Sequence, residues 1–160
     1  MPGSTTKKAV VRRFDKEPLA GYVNPDSYLQ PAGVEVLSAQ GNITTVPYPD
    51  IKSIAFVRDF EAGGEPGRRV FNARPKIEGL WVRLRFRDGE VMEGVMPNNL
   101  LHLDPYGFTL IPPDPNSHQQ RVFVPRTALE AVDVLGVVGS PLTKRKAKPA
   151  PKEQIELFEE

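Results

Sequence analysis

The residue types that most often carry chemistry are sparse in this chain. It contains no cysteine and only two histidines, His102 and His118. The lack of cysteine excludes disulfides, thiolate nucleophiles and cysteine-bound zinc. Neither histidine has a second ligand at metal-site spacing, and both stand in Asp- and Pro-rich segments that are typical of turns. We therefore predict no metal site and no catalytic histidine.

Other catalytic signatures are also missing from the sequence. No serine stands in a Gly-x-Ser-x-Gly context, which a nucleophile elbow requires. The glycine-rich segment EAGGEPG lacks the lysine and the following helix of a phosphate-binding loop. The sequence thus predicts a protein that is not an enzyme, with no catalytic residues and no cofactor.

One basic pattern surrounds the single tryptophan. In WVRLRFR, Trp81, Arg83, Arg85 and Arg87 fall on one face of a period-2 strand. Arginines beside an aromatic ring can bind single-stranded nucleic acid through phosphate contacts and base stacking. The same pattern also fits a solvated strand face whose arginines pair with Glu90, Glu93 and similar neighbours. The net charge of +1 provides no general attraction to nucleic acid, and both interpretations stay open.

A second candidate site is Arg58 in the segment FVRDF. This arginine either pairs with Asp59 to hold the following linker or faces a ligand. A ligand-sensing role would resemble PilZ domains, small barrels with an Arg-x-x-x-Arg motif and a later Asp/Asn-x-Ser-x-x-Gly motif. Here Arg12 and Arg13 are adjacent, and Asp26 is followed directly by serine. A small-ligand sensor therefore remains an alternative function and not the first.

The chain ends in KPAPKEQIELFEE, which places large apolar residues beyond a Lys/Pro-rich stretch. That stretch has little to bury and is predicted to be extended and disordered. The last apolar segment resembles the bacterial sliding-clamp binding motif Gln-Leu-Ser/Asp-Leu-Phe, and the matching positions are Gln154, Ile155, Leu157 and Phe158. The resemblance implies that Leu157 and Phe158 fill a hydrophobic pocket of the clamp. Two alternatives stay open: a short amphipathic helix that docks on the protein's own barrels, and a tail without a role.

Composition limits the broad class. Of the 160 residues, 39% are hydrophobic and 26% are charged, as in ordinary globular proteins. No apolar run reaches the roughly 20 residues of a membrane span, and the N-terminus lacks the apolar core of a signal peptide. We expect a cytoplasmic protein without a membrane partner. The 17 prolines and 13 glycines favour short strands and turns.

The elements that would position these residues are indicated by an internal repeat. The first copy contains AVVRRFDKEPLAGYV, GVEVL and TTVPYPDIKSIAFV, and the second contains WVRLRFRDGEVMEGVM, GFTLI and RVFVPRTALEAVDVL. Landmarks recur in the same order. The matched pairs are Phe14 with Phe86, Gly21 with Gly94, Gly33 with Gly107, Val46-Pro47 with Val124-Pro125, Ile51 with Leu129, and Ile54 with Val132. Within each copy, period-2 alternation and Asp-Gly or Pro-rich turns predict short strands joined by hairpins.

The predicted fold class is mainly β, with two tandem SH3-like or Sm-like small barrels from an internal duplication and a disordered C-terminal tail. One such unit is marginal alone, and two packed together enlarge the core. The predicted divisions are a first barrel at 8–60, a linker at 61–79, a second barrel at 80–139 and a tail with a linear motif at 140–160. Val70, Phe71 and Ile77 predict that the second half of the linker lies against a barrel.

Three segments in order are similar to an uncharacterised family of bacterial proteins. They are IKSIAFVRDFEAG, LRFRDGEVMEG and GFTLIPPDPNSHQQRVFV. Members of that family have tandem small β-domains with an F-V-R/K-D-F segment between them. The resemblance covers about residues 8–139 and implies a double β-barrel, but it implies no activity.

The function expected from the sequence is a non-enzymatic binding module or adaptor whose tail recruits a protein partner, with the sliding clamp as the suspected one. Nucleic-acid binding through Trp81 and the strand arginines is one alternative. A small-ligand sensor that uses the cleft between the barrels is the other.

Overall fold

A computed structural model describes residues 6–60, 69–113 and 119–139. Within these ranges the chain forms β-strands and short 3-10 turns, and it contains no α-helix. The predicted mainly β class is confirmed. No helix in the described ranges is long and apolar enough to span a membrane.

The strands follow one another with short connections. Those before the linker are β1 (Lys7–Arg13), β2 (Leu19–Val23), β3 (Leu29–Gln30), β4 (Gly33–Leu37), β5 (Ile43–Val46) and β6 (Ile51–Val57). Those after it are β7 (Gly79–Phe86), β8 (Val91–Met96), β9 (Gly107–Leu110), β10 (Gln119–Pro125) and β11 (Leu129–Val138). A 3-10 turn separates β5 from β6 at Tyr48–Asp50, and another separates β10 from β11 at Arg126–Ala128. Both turns follow a proline that sets an extended backbone before them.

The β7–β8 hairpin forms where the sequence predicts it. Val82, Leu84 and Phe86 are buried, while the residues between them point outward. Gly89 adopts φ +93° in the turn, as the Asp-Gly pair predicts. Gly94 interrupts no pairing, since the β7–β8 register is continuous. A Cβ there would lie 2.8 Å from the Leu110 side chain, so close packing accounts for this glycine.

Most strands share one curled sheet. Eight strands form it, with the order β3-β4-β2-β1-β6-β10-β9 and with β5 attached to β4. A second sheet has the order β11-β7-β8. Val95 and Ile111 join the two sheets, because each accepts the other's backbone N–H at 3.0 and 2.8 Å.

The pairing of β6 with β10 fuses the two halves of the chain. It places Ile54 opposite Phe123 and Ala55 opposite Val122. As a result each hydrophobic core contains residues from the other half of the chain. Phe123, from the second half, is fully buried among first-half residues. Ala55 and Val57, from the first half, pack in the second-half core.

Phe14 does not hold the core position that the repeat alignment predicts for it. Phe86 is 2% exposed, whereas Phe14 is only half-buried. The strand registers place Arg13 opposite Ile51 and Phe86 opposite Leu129. Phe14 therefore lies one residue beyond the position that corresponds to Phe86.

The described part of the linker lies against the smaller sheet, as predicted. The Glu93 amide donates to the Arg69 carbonyl at 2.8 Å, and Arg74 donates to the Val137 carbonyl at 2.6 Å. Phe71 is half-buried and meets the Trp81 ring edge-on at 6.3 Å. The linker thus covers part of the outer face of β7 and β8.

Candidate binding surfaces

The outer face of β7 carries the tryptophan and two of the predicted arginines, but their polar groups are already engaged. The Trp81 indole N–H donates to a Glu93 carboxylate oxygen at 3.2 Å. Arg83 approaches the other oxygen of Glu93 at 3.5 Å, and Arg85 lies 3.5 Å from Glu130. Both arginines remain exposed, with about half of each side chain open to solvent. Trp81 is half-buried beneath the linker, so its ring offers a reduced face for base stacking.

The sequence indicates Glu93 only as an ion-pair partner for the strand arginines, but this residue organises the region. It is 5% exposed and lies directly opposite Arg83 in the β7–β8 pairing. One carboxylate oxygen accepts the Phe71 amide N–H at 3.1 Å in addition to the Trp81 indole. A buried carboxylate requires several donors to offset the loss of water. These contacts describe a structural anchor for the linker.

Arg87 does not lie on the β7 face as predicted, because β7 ends at Phe86 and Arg87 stands in the β7–β8 turn. It belongs to a different cluster from Arg83 and Arg85. Its guanidinium lies 3.9 Å from the centre of the Phe14 ring and donates to the Pro49 and Thr127 carbonyls at 2.8 and 3.1 Å. The side chain therefore joins the β1–β2 turn, the first 3-10 turn and the second. Through these contacts Arg87 connects the two halves of the chain.

Lys52 on β6 bridges to the β7–β8 turn beside that cluster. Its ammonium lies 2.8 Å from Asp88, bonds to Glu90 and sits 5.1 Å from the centre of the Phe86 ring. The hydrogen bond from Lys52 holds the pKa of Glu90 below its usual value. At Asp88, burial acts to raise the pKa, but hydrogen bonds from Lys52 and from the Glu90 amide outweigh it, so the pKa is lowered. These groups line a small cavity of about 270 Å³.

A larger groove of about 910 Å³ lies where the two halves meet. Residues of both halves form it, including Tyr28, Phe56, Met96, Asp104, Thr109 and Arg121. Tyr28 is 6% exposed, and burial raises the pKa of its hydroxyl, with a further contribution from the Asp104 carboxylate. The Thr109 hydroxyl donates to that carboxylate. The groove lining therefore combines apolar side chains with several polar and charged ones.

An exposed apolar turn follows the groove-lining segment that ends at Pro97. Leu100, Leu101 and Leu103 are 75%, 92% and 37% exposed. We call residues 100–103 the leucine turn. His102, within the turn, and Asp104, directly after it, line the groove, so the turn forms part of the groove rim. Its backbone is ordered by Asn99, whose side chain accepts the Leu101 N–H at 3.0 Å.

The remaining predicted residues are dispersed. His102 is exposed in the leucine turn, and His118 lies outside the described residues. No group of three or more His, Cys, Asp or Glu side chains in the described ranges has a metal-binding arrangement. Arg58 is exposed, and its carbonyl accepts from the Lys8 ammonium at 3.4 Å. Arg58 does not line the groove.

The tail residues Gln154, Ile155, Leu157 and Phe158 lie outside the described residues, so the structure gives no position for the predicted clamp motif.

Comparison with known proteins places the chain in a family. The sequence profile of a family of unknown function, DUF6982, matches residues 5–136. The chain belongs to this family. The matched range includes both halves of the fold and stops before the tail. No curated protein matches the chain, and no solved structure matches it.

Proposed function

We propose that the protein is a non-enzymatic binding module that engages a protein partner through the leucine turn and the adjoining groove. The observation that carries this proposal is the exposure of Leu100 and Leu101, 75% and 92%, on an ordered turn. Removing apolar surface from water contributes roughly 25 cal/mol per Å². Burial of two adjacent leucines beside a groove would therefore contribute favourable free energy to the binding of a protein surface.

The ordering of the leucine turn supports the same proposal. The Asn99 carbonyl accepts the His102 amide at 2.9 Å, in addition to the side-chain cap on Leu101. A turn that is already fixed loses little conformational freedom on binding. The apolar side chains are thus held outward by backbone hydrogen bonds and not left there by a lack of structure.

We further propose that the framework consists of two small SH3-like barrels from an internal duplication. Glycine contacts support this. A Cβ on Gly33 would lie 2.3 Å from the Val46 carbonyl oxygen, and a Cβ on Gly107 would lie 2.2 Å from that of Val124. In the repeat alignment Gly33 corresponds to Gly107 and Val46 corresponds to Val124, so the same close approach occurs in both halves.

The strand pairing supports the duplication as well. In the first half β1 pairs with β2 and β6, and in the second half β7 pairs with β8 and β11. Each first strand has a register shift at the same place: Arg12 and Arg13 lie opposite Ser53 and Ile51, while Arg85 and Phe86 lie opposite Ala131 and Leu129. A shared bulge is a detail that two unrelated hairpins would rarely have in common.

The tail adds the adaptor part of the proposal. Its segment Gln154–Phe158 resembles the sliding-clamp motif, and the module would be recruited to the clamp while the barrels remain free for a second partner. A short peptide of this kind depends on a few anchored apolar side chains. We expect a dissociation constant in the micromolar range, because ordering the peptide offsets part of the gain from burial.

The test uses the full chain and two sets of variants. Affinity capture from a bacterial extract is compared for the wild type, Leu100→Ser with Leu101→Ser, and Leu157→Ala with Phe158→Ala. The leucine-turn pair is expected to lose one set of captured proteins and the tail pair to lose the clamp. Val91→Ser is the matched control, since Val91 is also an exposed apolar residue, at 37%, and lies on β8, outside the leucine turn.

Two results would contradict these proposals. If the leucine-turn pair and Val91→Ser both capture the same proteins as the wild type, the leucine turn is not the binding surface. If purified clamp fails to bind a peptide of residues 150–160 at high micromolar concentration, the clamp assignment is wrong. A lower thermal midpoint in the tail pair would indicate instead that the tail docks on its own barrels.

A small-ligand sensor is the second candidate, and the groove favours it. The volume of about 910 Å³ and the Tyr28, Asp104 and Thr109 cluster suit a ligand with both apolar and polar groups. A rise in thermal midpoint with a nucleotide panel would support this function. Nucleic-acid binding has less support, since Trp81 and Arg83 share the Glu93 carboxylate. A salt-dependent shift with single-stranded oligonucleotides would favour it nonetheless.

A further inference from the structure

Among the residues that the structure describes, β5 and β11 each have an edge that pairs with no other strand, as does the two-residue strand β3. β5 pairs only with β4, and β11 pairs only with β7. On β11 the Val137 carbonyl accepts from Arg74, and residues 132–134 lie before that contact. An unpaired strand edge presents backbone donors and acceptors that another strand can use. Both edges also carry exposed apolar side chains: Ile43 on β5 is 68% exposed, and Val134 on β11 is 61% exposed.

The chain already contains one example of how such edges are joined. β6 is the last strand of the first half, β10 is the fourth main strand of the second half, and the two pair antiparallel. Under the duplication proposed above, β11 corresponds to β6 and β5 corresponds to β10. The antiparallel pairing that joins the two halves of one chain would therefore also join β11 of one chain to β5 of another.

The known register predicts which residues would meet. In the repeat alignment Val46 corresponds to Val124, so residues 43–45 of β5 match residues 121–123 of β10. Ile54 corresponds to Val132, so residues 132–134 of β11 match residues 54–56 of β6. Within the chain, Phe56 lies opposite Arg121 and Ile54 lies opposite Phe123. The transferred pairs are Val134 with Ile43 and Val132 with Thr45. Val134 and Ile43, each an exposed apolar residue on one of the open edges, are thus brought directly opposite each other.

We propose that β11 and β5 form a head-to-tail interface between copies of this chain, which extends the β-sheet from one molecule to the next. The partner is a second copy because the edges are complementary in register and because β6–β10 provides the same contact internally. Such a heterologous interface closes into a ring or continues as a filament. The proposal rests on the duplication but not on the leucine turn.

The interface is expected to be weaker than its internal counterpart. Phe123 and Ala55 are both buried in the internal β6–β10 pairing. In the proposed β11–β5 pairing, Thr45 stands at the position of Phe123 and Asp133 stands at the position of Ala55. Less apolar surface would be removed from water, so the association should be reversible and should depend on chain concentration.

The first test measures molar mass by sedimentation over a wide range of full-chain concentration. The wild type is expected to grow in mass with concentration, and Ile43→Lys and Val134→Lys are each expected to remain monomeric alone. An equimolar mixture of the two variants retains one intact pair of edges and should stop at a dimer. Leu101→Lys, on the leucine turn, should associate like the wild type.

Several results would overturn the proposal. They are a monomeric wild type at the highest concentration, a Val134→Lys or Ile43→Lys chain that associates normally, a mixture that stays monomeric, and a Leu101→Lys chain that no longer associates. The last result would assign self-association to the leucine turn. A monomeric wild type that still loses captured proteins in the leucine-turn variant would reject this interface while leaving the proposed function intact.

Cross-linking provides a second measurement that does not depend on weak equilibria. The chain has no cysteine, so Ile43→Cys with Val134→Cys introduces one defined pair. Directly opposite residues on antiparallel strands have Cβ atoms about 4.5–5.5 Å apart, which suits a disulfide. Oxidation is expected to give a ladder of covalent oligomers. Phe56→Cys with Arg121→Cys, the internal counterpart, should give an intrachain bond, and absence of the ladder beside that bond would reject the interface.

Discussion

The Trp81 indole N–H donates to the Glu93 carboxylate at 3.2 Å, and the same oxygen accepts the Phe71 amide at 3.1 Å. One buried acid therefore fixes a strand residue and a linker residue at a single point. This relationship gives the tryptophan a structural role, although its sequence context suggested a nucleic-acid face. It also makes Glu93 the residue whose loss should affect the linker most.

Glu93→Ala should lower the free energy of unfolding by about 1–3 kcal/mol, because two partly buried N–H donors lose their acceptor. Amide hydrogen exchange at Phe71 should accelerate by more than the global loss of stability explains. Glu130→Ala is the matched control, since the Glu130 side chain is 58% exposed and an exposed ion pair contributes about 0–1 kcal/mol. Equal effects of the two substitutions in denaturant titrations would show that Glu93 is no anchor.

Phe123→Ala should destabilise the whole described fold and not only the second half. Phe123 is fully buried in the first-half core, where it meets the Tyr28 ring edge-on at 6.0 Å. Truncation of such a residue costs about 3–5 kcal/mol. Calorimetry should give one transition, shifted to lower temperature, with equal calorimetric and van't Hoff enthalpies. Two resolved transitions, with only one of them shifted, would indicate that the halves unfold independently.

Acid should weaken the contact between the halves at the Lys52 cluster. The pKa values of Glu90 and Asp88 are lowered in the folded state. Groups of this kind contribute stability that is fully present above their ordinary pKa and is lost as the pH falls through the lowered value. Because Glu90 is 44% exposed, solvent screening keeps its contribution small.

The measurement is the thermal midpoint against pH for the wild type and for Glu90→Gln with Asp88→Asn. Below the ordinary carboxylate pKa, the wild-type midpoint should fall more steeply than that of the variant, and the two curves should converge at low pH. Parallel curves across the acidic range would mean that the Lys52 contacts do not contribute to stability.

The sequence predicts the local structure well because local rules decide it. The alternation of Val82, Leu84 and Phe86 identifies the buried face of β7, and Asp88-Gly89 identifies the turn. Gly33 and Gly107, which the repeat alignment matches, each approach a neighbouring carbonyl too closely for a side chain.

The sequence does not reveal the contacts between residues that are far apart in the chain. Nothing local indicates that β6 pairs with β10, or that Phe123 enters the first-half core. From the sequence, Glu93 is expected to be an exposed acid on a strand face. Its burial cannot be predicted locally, because it depends on a linker that packs over it from the outer side. Phe14 was assigned by residue type, but the register at the bulge places Arg13 at that position.

The glycine pair provides the sharpest test of the duplication. A Cβ on Gly33 or on Gly107 would contact a backbone carbonyl oxygen within 2.3 and 2.2 Å, and backbone atoms cannot move aside at low cost. Gly33→Ala and Gly107→Ala should therefore each lower the free energy of unfolding, by about 1–3 kcal/mol or more. Gly136→Ala is the control: it lies in β11, its nearest neighbour would be 3.6 Å from the new Cβ, and its effect should stay within about 0.5 kcal/mol. If only one of the paired substitutions destabilises the protein in denaturant titrations, the two positions are not structurally equivalent, and the strand correspondence that predicts the β11–β5 interface loses its basis.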